Sequence, residues 1–161
     1  RTAQQYDNVH VMFPMVIDTD QFGELRAKFT EAADEIGCDA IRFGLMLETP
    51  AACLLGRELL GEADFASVGS NDLLQFLLAA DRGNSALSNV GDWQHPAFWM
   101  TLRDLAQAAA DTGTPLSVCG ELASDPDCVK RLATLGVSIS LAPRRIADVR
   151  TGFAEADATE A

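Results

Sequence analysis

The stretch AIRFGLMLETPAACLLGRELLGEADFASVGSND, residues 40–72, holds a strand, a helix and a second strand in succession. AIRFGLMLE is an apolar run of strand length. TPAACLLGRELLG reads as one helix, with Thr49 as its cap, Pro50 in the first turn and Gly61 past its end. DFASVGS is then a short strand that feeds the next helix. With no turn pair such as Asn-Gly between them, strands joined through a helix lie parallel and the crossover is right-handed.

The unit repeats in both directions. Upstream, VHVMFPMVI (9–17) reads as a strand, and the helix after it carries Phe22, Leu25, Phe29, Ala32 and Ile36 at helical spacing. Asp18 or Asp20 is its cap and Gly37 its stop. Downstream, GSNDLLQFLLAADRGN (69–84) reads as a helix capped by Ser70 or Asn71, and HPAFWMTLRDLAQAAADTG (95–113) as another. PLSVCGE is a strand, DPDCVKRLATLG a helix started by Asp125 and Pro126, and VSISLA a last strand. Five strands alternating with helices make the class α/β. An open doubly wound sheet and part of a (β/α)8 barrel both fit, while a complete barrel takes about 250 residues and this chain has 161.

Composition excludes other classes. The chain is 48% apolar and can bury a core, whereas AEADATEA at its end has no large apolar residue. A disordered acidic tail is expected over 153–161, after a domain spanning 1–152. Twenty-four acidic against twelve basic side chains give a net charge of −12, which argues against nucleic acid and anionic membranes as partners. No apolar run is long enough to span a bilayer and RTAQQYDNVH lacks a signal-peptide pattern, so the expected compartment is the cytoplasm. Cys38, Cys53, Cys119 and Cys128 form no C-x-x-C pair and read as reduced thiols.

In either architecture, ligand chemistry gathers where strands end. Glu48 follows FGLML, Gly69–Asp72 follow FASV, and Cys119–Glu121 follow PLSV. Glu48 and Asp72 suit a hard cation such as Mg2+, which takes one or two carboxylates and fills its shell from phosphate and water. Helix capping is the alternative role for both. Arg82 offers a planar fork for a carboxylate or phosphate, or else a surface pair with Asp81. Cys119 is either a buried structural thiol or an acid, since an ordinary thiol, with a pKa of about 8.5, carries a proton at neutral pH that a carbanion can accept. His95 reads as a cap, His10 has no partner at ligand spacing, and Trp93 and Trp99 read as packing residues.

Taken together, GLMLETPAA, DFASVGSNDLLQFLLAADRGN, HPA and SVCGELASDP resemble the phosphoenolpyruvate-binding barrel of the phosphoenolpyruvate-protein phosphotransferases, the Enzyme I family of the bacterial phosphotransferase system. VMFPMV and VSISLAPRRIADVR extend the similarity over nearly the whole chain. GSND stands where the family usually has GTND, and NVGDWQ replaces a LYQP-like loop.

The resemblance implies the last five strands of a (β/α)8 barrel, with three further strands and the domain of the phosphorylated histidine absent from this sequence. A fragment is therefore expected, inactive by itself and paired as a homodimer. In the intact parent, the resemblance implies phosphoryl transfer from phosphoenolpyruvate to that histidine and onward to a phosphocarrier protein, with release of pyruvate. Carried over by motif, Glu48 and Asp72 would hold Mg2+, Asn71 and Arg82 would contact phosphoenolpyruvate together with Asp72, and Cys119 would protonate the enolate. The alternatives are a fragment resembling pyruvate phosphate dikinase or phosphoenolpyruvate synthase, and a non-catalytic module that binds phosphoenolpyruvate or a partner.

Overall fold

A computed structural model describes residues 2–6, 8–38, 41–80, 93–147 and 149–150. The strands are β1 (Val11–Phe13), β2 (Phe43–Leu47), β3 (Phe65–Gly69), β4 (Leu116–Cys119) and β5 (Ser138–Ile139). All pair parallel, in the order β1-β2-β3-β4-β5. The helices are α1 (Thr19–Glu35), α2 (Pro50–Leu54), α3 (Gly56–Glu62), α4 (Ser70–Leu77), α5 (Pro96–Thr112) and α6 (Pro126–Ala133).

Strand order decides between the two architectures left open by the sequence. A doubly wound sheet reverses direction at a switch point, whereas here each strand lies beside its sequence neighbour, as in a barrel. Burial agrees. Phe13, Phe43, Leu45, Leu47, Ala66, Val68, Leu116 and Val118 alternate onto one face and join Leu59, Leu60, Leu73, Phe98, Leu102 and Leu105 from the helices in a single core. Removing that apolar area from water is the main drive to this layer.

The opposite face differs from the usual parallel sheet, whose strands are apolar on both sides. Ser67, Ser117 and Ser138 stand in register on it, and Ser117 Oγ donates to Ser67 Oγ at 3.0 Å. The concave surface is thus small and polar along β3–β5.

Caps set most helix starts as the sequence predicts. Asp18 accepts from Gln21 N–H at 2.8 Å, Thr49 from Ala52 at 3.2 Å, His95 Nδ1 from Ala97 at 3.2 Å and Asp125 from Cys128 at 2.9 Å. Trp99 Nε1 donates to the Trp93 carbonyl, so this aromatic pair packs the approach to α5. The buried Cys128 and half-buried Cys53 thiols are both pushed up to about 12, chiefly by burial, in keeping with structural roles.

Three elements differ from the sequence reading. The helix expected over 49–61 breaks at Leu55 into α2 and α3, and Gly61 lies inside α3. Gly56 there approaches α5 so closely that a Cβ would fall 2.5 Å from Leu105 Cδ2. The helix from 69 ends at Leu77, with Ala79 at φ 49°, and residues 81–92 lie outside the described residues. β1 stops at Phe13 because Pro14 has no N–H for the ladder and Met15 takes φ 56°. The tail over 153–161 also lies outside the described residues.

Candidate active site at the strand ends

Glu48 is the first residue after β2 and is only 4% exposed. Its Oε1 accepts from Met15 N–H at 2.8 Å, which ties the β1 loop to the end of β2. Met15 holds a left-handed backbone uncommon for a side chain of its size, and strain of that kind concentrates at functional sites. Thr49 adds a second tie, its hydroxyl donating to the Val16 carbonyl at 3.0 Å while accepting from Ala52. The loop after β1 is therefore fixed by the two residues after β2.

Burial pushes the Glu48 carboxyl above the usual carboxylate range, the Met15 hydrogen bond opposes that rise, and the negative charge of Asp72 adds to it. Asp72, in the first turn of α4, thus stands near enough to repel Glu48. Glu48 precedes the Thr49 cap of α2, and Asp72 is the acidic residue in the first turn of α4, whose N-cap Gly69 makes no side-chain hydrogen bond.

Ser70 and Asn71 also serve other purposes than the capping expected of them. Ser70 is fully buried and its hydroxyl donates to the Cys119 carbonyl at 2.6 Å. Asn71 Oδ1 accepts from Glu121 N–H at 3.1 Å, leaving its amide protons as donors at the strand ends. Both side chains stitch the β3 end to the β4 end. Cys119 closes β4 opposite Gly69, half-buried, with its thiol donating to the Val68 carbonyl at 3.4 Å.

The C-terminal ends of three adjacent strands thus bring together Glu48, Asn71, Asp72 and Cys119. Arg82 lies outside the described residues. His10 stays apart from this cluster, its Nδ1 accepting from Arg42 N–H at 3.4 Å. Met15 belongs to the same constellation and escapes sequence reasoning, whereas Gly69 and Gly120 fall within the strand-end stretches the sequence singles out.

Gly69 shows why no side chain is tolerated there. A Cβ on it would lie 2.5 Å from Glu48 Oε2, 2.8 Å from Glu48 Cβ and 3.0 Å from Met46 Sδ. Its φ of −79° suits any residue, so Gly69→Ala acts by contact alone. We expect that variant to lose about 1–3 kcal/mol to overpacking and to displace Glu48 Oε2. Thermal unfolding and Mg2+ titration, run together, check both effects.

The chemistry of the donors fits Mg2+. Two hard carboxylates lie near enough for the Asp72 charge to act on Glu48, one Glu48 oxygen is already occupied by an N–H, and the other lies in a cradle that a Cβ at Gly69 would fill. Among the described residues no group of three or more His, Cys, Asp and Glu side chains could hold a metal, so substrate and water oxygens would have to complete the shell.

Sheet order, one-sided helical cover and a polar rim at the strand ends define a segment of a (β/α)8 barrel. The chain matches the family model for the PEP-binding domain of PEP-utilising enzymes over residues 1–158, and it belongs to that family. It is 32% identical over 160 residues to the phosphoenolpyruvate-protein phosphotransferase of Haloferax volcanii, a match covering 96% of this chain and 28% of that protein. The phosphoenolpyruvate-dependent phosphotransferase system protein of Escherichia coli K12 is 37% identical over 161 residues, 96% of this chain and 22% of that protein. A probable phosphoenolpyruvate synthase of Archaeoglobus fulgidus is 34% identical over 154 residues, 94% of this chain and 20% of that protein. The chain therefore spans between 20% and 28% of the length of these relatives.

Solved structures agree on the fold. A citrate lyase from Burkholderia xenovorans LB400 superposes with a TM-score of 0.68 at 17% identity, covering 89% of this chain and 48% of that one. A malate synthase of Haloferax volcanii gives 0.65 at 17% identity, covering 88% and 43%. Both neighbours are barrel-type enzymes.

Proposed function

We propose that this chain binds phosphoenolpyruvate with Mg2+ and supplies the strand-end chemistry of phosphoryl transfer to a histidine on another domain, with release of pyruvate. The observation that carries this reading is the convergence of Glu48, Asn71, Asp72 and Cys119 on one rim, in a chain of the PEP-binding family. Glu48 and Asp72 would hold the cation. When bound, Mg2+ would offset the negative charge of phosphate and enolate oxygens.

The chain's own residues do the rest. Asn71 donates its amide protons to the substrate from a carboxamide already fixed by Glu121 N–H, so little reorganisation is needed. Arg82 grips an anionic group of the substrate. The bond between phosphorus and the enol oxygen breaks, a nitrogen–phosphorus bond forms at the histidine, and the enolate of pyruvate remains. Cys119 gives its thiol proton to the methylene carbon of that enolate, yielding pyruvate, and the thiolate recovers a proton from water. A phosphocarrier protein then takes the phosphoryl group through domains that most of the relatives' length would supply, and the chain pairs with a second copy.

A second reading has its own support. The Archaeoglobus fulgidus phosphoenolpyruvate synthase is 34% identical, as similar as the phosphotransferases. Either parent uses the same rim.

Calorimetric titration of phosphoenolpyruvate into the chain tests the proposal. We expect binding heat that requires Mg2+ and disappears in Asp72→Ala. Heat that is independent of Mg2+ and unchanged by that substitution would remove the carboxylate pair from the site.

A further inference from the structure

Among the described residues, only Met15 and Ala79 combine a side chain with a positive φ. Ala79 follows the end of α4, where Ala80 N–H donates back to the Gln75 carbonyl at 3.0 Å, a usual place for a left-handed residue. Met15 ends no helix. Its side chain is 47% exposed, so side-chain packing does not account for the conformation either. What the conformation does is aim the Met15 N–H at Glu48 Oε1.

We infer that the Met15 amide is a specificity-determining group: by occupying Glu48 Oε1 it leaves a single carboxylate oxygen for a cation, and so selects Mg2+ over Ca2+. The inference rests on the cation-binding role proposed for Glu48 and Asp72.

The two cations differ in what they ask of a carboxylate. Mg2+ is small, keeps a near-octahedral shell with several waters, and is served by one or two carboxylates. Ca2+ takes roughly six to eight oxygens and commonly draws two of them from one carboxylate. Charge does not discriminate, since both ions are divalent and the net charge of −12 attracts them alike. Geometry must therefore make the choice.

Here the second oxygen is committed and has little freedom to be released. For Glu48 to offer both oxygens it must drop the Met15 hydrogen bond or turn, and Gly69 and Met46 crowd the side chain, with the Met46 sulfur 3.0 Å and Oε2 2.5 Å from the point a Gly69 Cβ would take. The loop cannot withdraw the amide instead. Pro14 has a fixed φ on one side of Met15, and on the other the fully buried Val16 holds the Thr49 hydroxyl on its carbonyl. Moving Met15 away would undo the Thr49 tie and leave a half-buried N–H without its acceptor.

The test titrates MgCl2 and CaCl2 separately into the chain at constant ionic strength, without phosphoenolpyruvate, and reads amide resonances and hydrogen exchange. We expect Mg2+ to bind at least about tenfold more tightly than Ca2+, with shifts at Met15, Glu48 and Asp72 and a Met15 amide that stays protected when Mg2+ is bound. Met15→Pro has no N–H to give, and the preference should shrink at least about tenfold. Met15→Gly keeps the N–H and suits a positive φ, and should retain the preference. A substitution that merely loosened the loop would weaken both cations together and leave their ratio unchanged. Equal affinities in the wild type, loss of Met15 protection on adding Mg2+, or a ratio unaltered in Met15→Pro would overturn the inference while leaving the cation site standing. No shift at Glu48 and Asp72 with either cation would remove the site and this inference with it. Where Met15→Pro does not fold, the wild-type ratio and the exchange of the Met15 amide decide.

Discussion

Glu48→Gln should raise the melting temperature of the metal-free chain and abolish its response to Mg2+. Burial, and then the charge of Asp72, disfavour the ionised carboxyl, while the Met15 N–H partly compensates. Glutamine keeps an oxygen for that N–H and removes the charge. The folded pKa lies above the unfolded one, so the stabilisation contributed by protonated Glu48 is complete below the unfolded value, about 4.3, and is lost as pH rises through the raised folded value. At neutral pH the ionised side chain opposes folding. Removing it should stabilise the fold and raise its melting temperature.

In the wild type, by contrast, Mg2+ should stabilise more strongly as pH climbs through the same raised value, because the cation binds only the ionised pair. Equal melting of the two proteins without metal, or a Mg2+ shift retained by Glu48→Gln, would show that the carboxylates do not meet as described.

The second large effect concerns Cys119. In an intact phosphotransferase carrying this chain, Cys119→Ala should lower pyruvate formation by about 100-fold or more, the usual weight of a positioned general acid. Phosphoenolpyruvate affinity should change little, since the thiol acts on carbon and its only described hydrogen bond runs to the Val68 carbonyl. A purely structural cysteine would behave in the opposite way. Its removal would lower stability and leave the rate per folded molecule unchanged, so measuring unfolding beside turnover separates the two roles.

The alternation of strands and helices was legible because each depends on local pattern: a short apolar run, then a capped amphipathic segment. Asp18, Thr49, His95 and Asp125 cap as their positions suggest. Barrel against doubly wound sheet was not legible from that pattern, because strand order is a long-range property. The serines of β3, β4 and β5 could have hinted at it, since Ser67, Ser117 and Ser138 meet across one face.

At the site, strand-end positions singled out Glu48, Asp72 and Cys119, and these do share one rim. What could not be read was the use of Ser70 and Asn71. Both are favoured cap residues, yet their hydrogen bonds run about 50 positions along the chain, to Cys119 and Glu121, and tie two strand ends together. The left-handed Met15 was equally hidden, because it arises from a partner 33 positions away. Arg82, read as a fork for a carboxylate or phosphate or as a partner of Asp81, lies outside the described residues.

The central claim is a single divalent-cation site at the ends of adjacent parallel strands, and paramagnetic broadening by Mn2+ in place of Mg2+ tests it most directly. Broadening of amide resonances should centre on Glu48–Thr49, Gly69–Asp72 and Cys119–Glu121 at low Mn2+, sharpen in selectivity when phosphoenolpyruvate is added, and vanish in Asp72→Ala. Broadening spread over the acidic surface of α1, or centred anywhere away from these strand ends, would contradict the account.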